Sequence, residues 1–175
     1  MILCYDIETD DLNSATCRFG CGVTCELPSL RIRTYGPRRV SEMVSMLNAA
    51  PLRCGHNVLA FDDPVLSRLS GRPLTSAKAW DLLGQIRSAN GNSTSGFKLD
   101  AIARTMLGES AFLTGKEIPA LIRAGHWHEV IEHCIQDVQL LARLIKRIVA
   151  SGGVVTNGQT TVRVNVTALQ RHLSM

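Results

Sequence analysis

Three strand-type runs precede the first helix-type run, and that order limits the fold more than any other feature. "ILCYDIE", "TCRFGCGVTCEL" and "LRIRTY" are rich in β-branched, aromatic and small apolar residues and follow one another closely. Consecutive strands usually pair, so a meander is expected. The period then changes. Val40, Met43, Val44 and Leu47 in residues 39–49 recur at helical spacing, and Pro51 ends that run. "LRCGHN" reads as a short strand entering a turn. In "DDPVLSRLSG" Asp63 reads as an N-cap, Pro64 as the first helical residue and Gly71 as the stop. "AKAWDLL" is a short strand or turn leading into a helix, "SANGNSTSG" is a loop, and "FKLDAIARTMLG" is a compact helix. After a short helix, a long one is expected from Trp127 to Ala150. Asn157-Gly158 between two β-rich runs signals a hairpin.

This pattern predicts one α/β domain over residues 1–175, with a mixed sheet, a core over about 1–150 and a C-terminal β-hairpin over about 153–167. The 175 residues, 45% of them hydrophobic and 19% charged, suffice for one packed core. No apolar run approaches the ~20 residues of a membrane span, and the N-terminus reaches an acid by Asp6 without a basic flank. A cytoplasmic, reducing setting is therefore expected. Cys17, Phe19, Cys21, Val23 and Cys25 alternate and would share one strand face. Residues four apart on a strand are separated by roughly 13 Å, too far for one tetrahedral zinc, so these cysteines read as small buried hydrophobes. A net charge of +4 allows a polyanionic partner without requiring one.

Four acids stand where packing alone would not put them. Asp6 and Glu8 continue the strand face begun by Ile2 and Cys4. Asp62 follows the apolar "VLAF" and has no structural role beside the capping Asp63. Asp137 lies within about 60° of the middle of the apolar stripe of the long helix, and His133 lies one turn before it. Four converging carboxylates repel one another unless cations bind. Hard oxygen ligands suit Mg²⁺ or Mn²⁺, and two such ions are the device for in-line attack on a phosphodiester.

"DIET" (Asp6 to Thr9), "GHNVLAFDDPVL" (Gly55 to Leu66) and "HCIQDV" (His133 to Val138) resemble, in order and spacing, the three motifs of the DEDD 3′–5′ exonuclease superfamily. "WDLL", "KLDAIARTMLG" and "GKEIP" look like its connecting segments. The resemblance implies a ribonuclease H-like fold with a mixed five-stranded sheet flanked by helices. It implies metal binding by Asp6, Glu8, Asp62 and Asp137, with Asp6 bridging two ions. Thr9, Asn57, Phe61 and Lys116 would contact the substrate. It departs from the family at His133: a histidine occupies the slot where one branch has tyrosine, four residues before the last aspartate. Histidine can accept a proton near neutral pH and tyrosine cannot, so His133 is the expected general base, ahead of His126 and His128. The implied activity is hydrolysis of nucleic acid from a free, single-stranded 3′ end, releasing nucleoside 5′-monophosphates. The implied protein is a small phage-encoded or bacterial enzyme, free-standing or working beside a separate polymerase or helicase. The alternatives are a non-catalytic binding module on the same fold and a ribonuclease H-type endonuclease. Phe61 and Trp80 are the candidates for base stacking.

Overall fold

The computed structural model describes residues 1–109 and 115–173. The three early runs form β1 (Ile2–Thr9), β2 (Phe19–Leu27) and β3 (Arg31–Tyr35), an antiparallel meander. A short 3₁₀ turn, Pro37–Arg39, leads into α1 (Val40–Ala49). Then β4 (Arg53–Gly55) returns parallel to β1, α2 (Asp62–Ser70) follows, and β5 (Ala79–Asp81) pairs parallel with β4. The strand order is β3-β2-β1-β4-β5, the expected mixed five-stranded sheet. Helices α3 (Leu82–Ala89), α4 (Leu99–Leu107), α5 (Ile118–Ala124) and α6 (Trp127–Ala150) complete the domain. The hairpin is present as β6 (Val154–Thr156) and β7 (Thr161–Arg163). It forms a separate two-stranded sheet rather than extending the main one, and a further helix, α7 (Thr167–Leu173), follows it.

Alternation along β1 sorts the core into two layers. Leu3, Tyr5 and Ile7 face α1 and α2, packing with Met43, Val44, Leu47, Val65 and Leu66. Ile2 and Cys4 face the other way, with Cys21, Val23 and Cys25, onto the α6 stripe of Cys134, Val138, Leu141 and Ile145. The apolar face of α6 is therefore spent on the sheet, and Asp6 and Glu8 belong to that same face. All six cysteines are free and buried, in line with their reading as small hydrophobes.

Three expectations change in three dimensions. The register of β1 and β2 shifts between Glu8 and Thr9, which pair with Cys21 and Phe19, so Gly20 is an extra residue. This bulge turns Phe19 to the layer opposite Cys21, and the five alternating residues do not share one face. Asp63 is no N-cap: α2 begins at Asp62, and its cap residue Phe61 makes no side-chain cap bond. The Asp63 carboxylate instead pairs with Arg53, whose side chain is fully buried, at 2.7 Å. Tyr5 Oη donates to the other Asp63 oxygen at 2.5 Å, and Arg53 Nη1 donates to Thr75 O at 2.8 Å. Trp80, expected to be free for stacking, is buried in the core, and its Nε1 donates to Asn165 O at 2.9 Å. Among the described residues no helix is long and apolar enough to cross a membrane.

Candidate active site

The site forms where the sheet runs out. Strand β4 pairs with β1 only at Leu3 and Cys4, so among the described residues the backbone of β1 beyond them has no strand partner on that side. At Ile7 a side chain takes over: Asp62 Oδ1 accepts the Ile7 N–H at 3.1 Å. This fixes Asp62, at the first turn of α2, beside the strand that carries Asp6 and Glu8. From the opposite layer, α6 supplies His133 and Asp137 one turn apart. His133 Nε2 lies 3.5 Å from Glu8 Oε1 and 3.6 Å from Asp137 Oδ2. Its Nδ1 is buried and has no hydrogen-bond partner. Cys134, which the sequence marks only as core, donates its thiol to Asp6 O at 3.6 Å and to Asp6 Oδ2 at 3.8 Å.

Asp6, Glu8, Asp62, His133 and Asp137 line a cavity of about 640 Å³, with Cys134 behind Asp6 and outside the lining. Thr9, Asn57 and Phe61 also line it, whereas Lys116 is exposed and outside the lining. The lining cation is Lys98, and Leu12 and His56 join it, none of them assigned to the site from sequence. The Thr9 hydroxyl donates to Asp11 O at 2.7 Å. His126 and His128 stay on the exposed start of α6, near Glu129 and Glu132.

Another residue that sequence reasoning passed over holds the loop before α2. Asp81 accepts the backbone N–H groups of Asn57 at 2.7 Å, Leu59 at 3.3 Å and Leu83 at 3.1 Å. The signal was visible, because an aspartate directly before "LL" is a good helix cap. The loop needs the support. Asn57 sits at φ 68°, a left-handed conformation that asparagine tolerates better than most residues. Gly55 has no room for a side chain, since a Cβ there would lie 1.9 Å from Val58 Cγ1.

Electrostatically the cluster is unbalanced. Burial raises the pKa of Asp6 to about 8, with the Asp137 charge the next cause. Burial and then Asp6 push Glu8 up, and the same two causes push Asp62 up. Burial also raises Asp137, with His133 opposing it. Carboxylates this reluctant to ionise together call for a cation, and the geometry can receive one. Ligand atoms of Asp6, Glu8 and Cys134 lie within 4.8 Å of one another, as do those of Glu8, His133 and Asp137. Glu8, rather than Asp6, is common to both groups. Burial holds the Cys134 thiol protonated, so it serves Asp6 as a donor while the oxygens remain for a hard cation.

The raised values also set the pH dependence of stability. Each carboxylate has a folded-state pKa above its unfolded value near 4. The Asp6 contribution is thus fully present below about pH 4 and is lost as pH rises through about 8, and Glu8, Asp62 and Asp137 act in the same direction. The metal-free protein is expected to melt roughly 5–10 °C lower at pH 8 than at pH 5. Added Mn²⁺ should restore more of the melting temperature at pH 8 than at pH 5. Calorimetry at both pH values, with EDTA or Mn²⁺, checks this, and a melting temperature that rises with pH in EDTA contradicts it.

No family model matches this chain, and no curated protein sequence does. Solved structures do. One described as the apo form of the nuclease is 17% identical and superposes with a TM-score of 0.61, over 85% of this chain and 72% of its own. NrnC of Brucella melitensis is 15% identical with a TM-score of 0.56, over 86% of this chain and 75% of its own. E. coli exonuclease I, in a zinc-bound complex with single-stranded DNA, is 13% identical with a TM-score of 0.56, over 86% of this chain. This chain spans only 40% of that exonuclease. The chain shares with these nucleases its fold, a mixed five-stranded sheet in the order β3-β2-β1-β4-β5 flanked by helices.

Proposed function

We propose that this chain, built on the DEDD-type exonuclease fold, is a metal-dependent 3′–5′ exonuclease that releases nucleoside 5′-monophosphates from single-stranded nucleic acid. The observation that carries the proposal is the convergence of Asp6, Glu8, Asp62 and Asp137 on one cavity from three separate elements. Each is raised in pKa by burial, a costly arrangement that structure alone does not require. A single-stranded substrate is supported by the single-stranded DNA in the exonuclease I complex of the same fold.

The four carboxylates would hold two divalent cations, Mg²⁺ or Mn²⁺. When bound, such ions activate a water and offset charge on the phosphate. The protein's own groups do the rest. Phe61, Asn57 and the Thr9 backbone shape the space for the terminal nucleotide. His133 borders the same cavity and takes the proton from the attacking water at Nε2. Asp137 and Glu8, on either side of Nε2, stabilise the imidazolium that results. Asp81 acts at one remove by holding Asn57.

The test uses single strands of DNA and RNA with a 5′ label, some blocked at the 3′ end, in Mg²⁺ or EDTA. Stepwise shortening in Mg²⁺, abolished by EDTA and by the 3′ block, is the expected result. Internal cuts in the blocked strand would indicate an endonuclease, and binding without hydrolysis a binding module. In the same assay His133→Gln should lose about 10²-fold or more and flatten the acid limb of the pH–rate profile. A His133→Tyr variant with full activity and an unchanged profile rules out His133 as the base.

A further inference from the structure

A second cavity, of about 770 Å³, adjoins the carboxylate site and belongs to none of the machinery above. Arg18, Arg38, Arg68, Arg123, Leu69 and Trp127 are among its lining, and no lining residue is acidic. Two of the arginines are oriented by main-chain oxygens, which leave their charge in place. Arg68 donates to Ser14 O at 3.0 Å and to Cys17 O at 2.6 Å, and Arg123 donates to Asp10 O at 2.8 Å. Arg18 pairs with Asp10 at 2.6 Å, and Arg38 has no ion pair or hydrogen bond with any described residue. The Asp10 charge also acts on Arg123, so Arg38 and Arg68 are the two guanidinium groups of the four without a carboxylate partner among the described residues. At the same cavity Trp127 is 45% exposed, although it is large and apolar.

The groove and the carboxylate site share two pieces of chain. Helix α5 gives Ile118 and Pro119 to the site and Ile122 and Arg123 to the groove, and four helical residues rise about 6 Å. The β1–β2 connection gives Leu12 to the site and Thr16 to Arg18 to the groove. An acidic site repels the polyanion it acts on, so phosphates have to be held from nearby. Unpaired guanidiniums beside an exposed aromatic ring are the pairing that grips a single strand, by phosphate contact and base stacking.

We propose that this arginine-lined groove binds the backbone of a single nucleic-acid strand a few nucleotides 5′ of the end held by the carboxylates, with Trp127 stacking on a base. The proposal rests on the exonuclease reading for its substrate and polarity. It predicts affinity that grows with length. Fluorescence anisotropy with labelled oligothymidylate and oligouridylate of about 3 and about 12 nucleotides reads it directly, on the full chain in EDTA so that nothing is cut. The wild type should bind the long strand about 100-fold more tightly than the short one. Arg38→Ala should lower the affinity for the long strand several-fold and reduce the slope of log K against log salt by about 0.7. Trp127→Ala should lower it about tenfold and leave the slope alone. Thermal melting checks that these exposed substitutions leave the fold intact. The proposal is overturned if both variants bind the long strand with wild-type affinity and slope. It is equally overturned if an Asp- and Glu-rich peptide binds the wild type and loses affinity in Arg38→Ala while the oligonucleotides do not. Hydrolysis is read separately. A chain that cuts no strand yet shows these losses refutes the exonuclease and keeps the groove. A chain that cuts strands while both variants bind normally refutes the groove alone.

Discussion

Asp6→Asn is expected to lower Mg²⁺-dependent hydrolysis about 10³-fold while raising the melting temperature of the metal-free protein at pH 8 by roughly 3 °C or more. The two effects have one cause. Asp6 is removed from water and then crowded by Asp137, which is why its pKa climbs to about 8. The amide keeps the shape, accepts the Cys134 thiol through its remaining oxygen, and removes a charge the metal-free fold holds at a cost. The same charge is what a divalent cation needs, and its loss removes several kcal/mol of the stabilisation a cation provides. Sites assembled for catalysis commonly trade stability in this way. Steady-state rates in Mg²⁺ and melting curves in EDTA measure both halves. Activity within tenfold of wild type excludes Asp6 from the site, and a lower melting temperature at pH 8 refutes the electrostatic account.

Arg53→Ala is expected to be the most damaging single change to stability, by about 3–5 kcal/mol, without touching the cavity residues. Arg53 has no exposed surface, and its partners are Asp63, Tyr5 and the Thr75 carbonyl. Truncation strands the Asp63 carboxylate in the layer between the sheet and α2, with only Tyr5 Oη left to satisfy it. Burial and Asp63 already push the Tyr5 hydroxyl well up, so it remains a donor and offers no compensating charge. Removing both charges together by Arg53→Met with Asp63→Leu should recover most of the loss. Urea denaturation of the single and double variants completes the cycle. A single variant within about 1 kcal/mol of wild type means the pair is dispensable.

What sequence revealed and what it hid divide along the distance between partners. The period of α6 is local, and its bounds at Trp127 and Ala150 were legible. Asp6, Glu8 and Asp137 were legible because each interrupts an apolar face of its own element. Asp63 was misread because its partner Arg53 lies on another strand, and nothing in "DDPVL" distinguishes a cap from half of a buried ion pair. The bulge at Gly20 was hidden because register is a property of two strands together. Trp80 was misjudged because the C-terminal segment that covers it is 85 residues away. Neither the groove nor the support of Asn57 by Asp81 could be seen from single positions, although the helix-capping place of Asp81 could.

The bond from Ile7 N–H to Asp62 also bears on how site variants behave in solution. Past Cys4 that margin of β1 has no strand beside it among the described residues, and a bare strand margin is a template for association with other chains. Asp62 closes it at Ile7 with a carboxylate, so the side chain proposed as a metal ligand also keeps the margin from self-association. Asparagine at position 62 keeps an oxygen for the Ile7 N–H; alanine leaves it bare. An inactive Asp62→Ala protein that precipitates would therefore report an exposed strand margin as much as a lost ligand, and Asp62→Asn is the cleaner probe of catalysis.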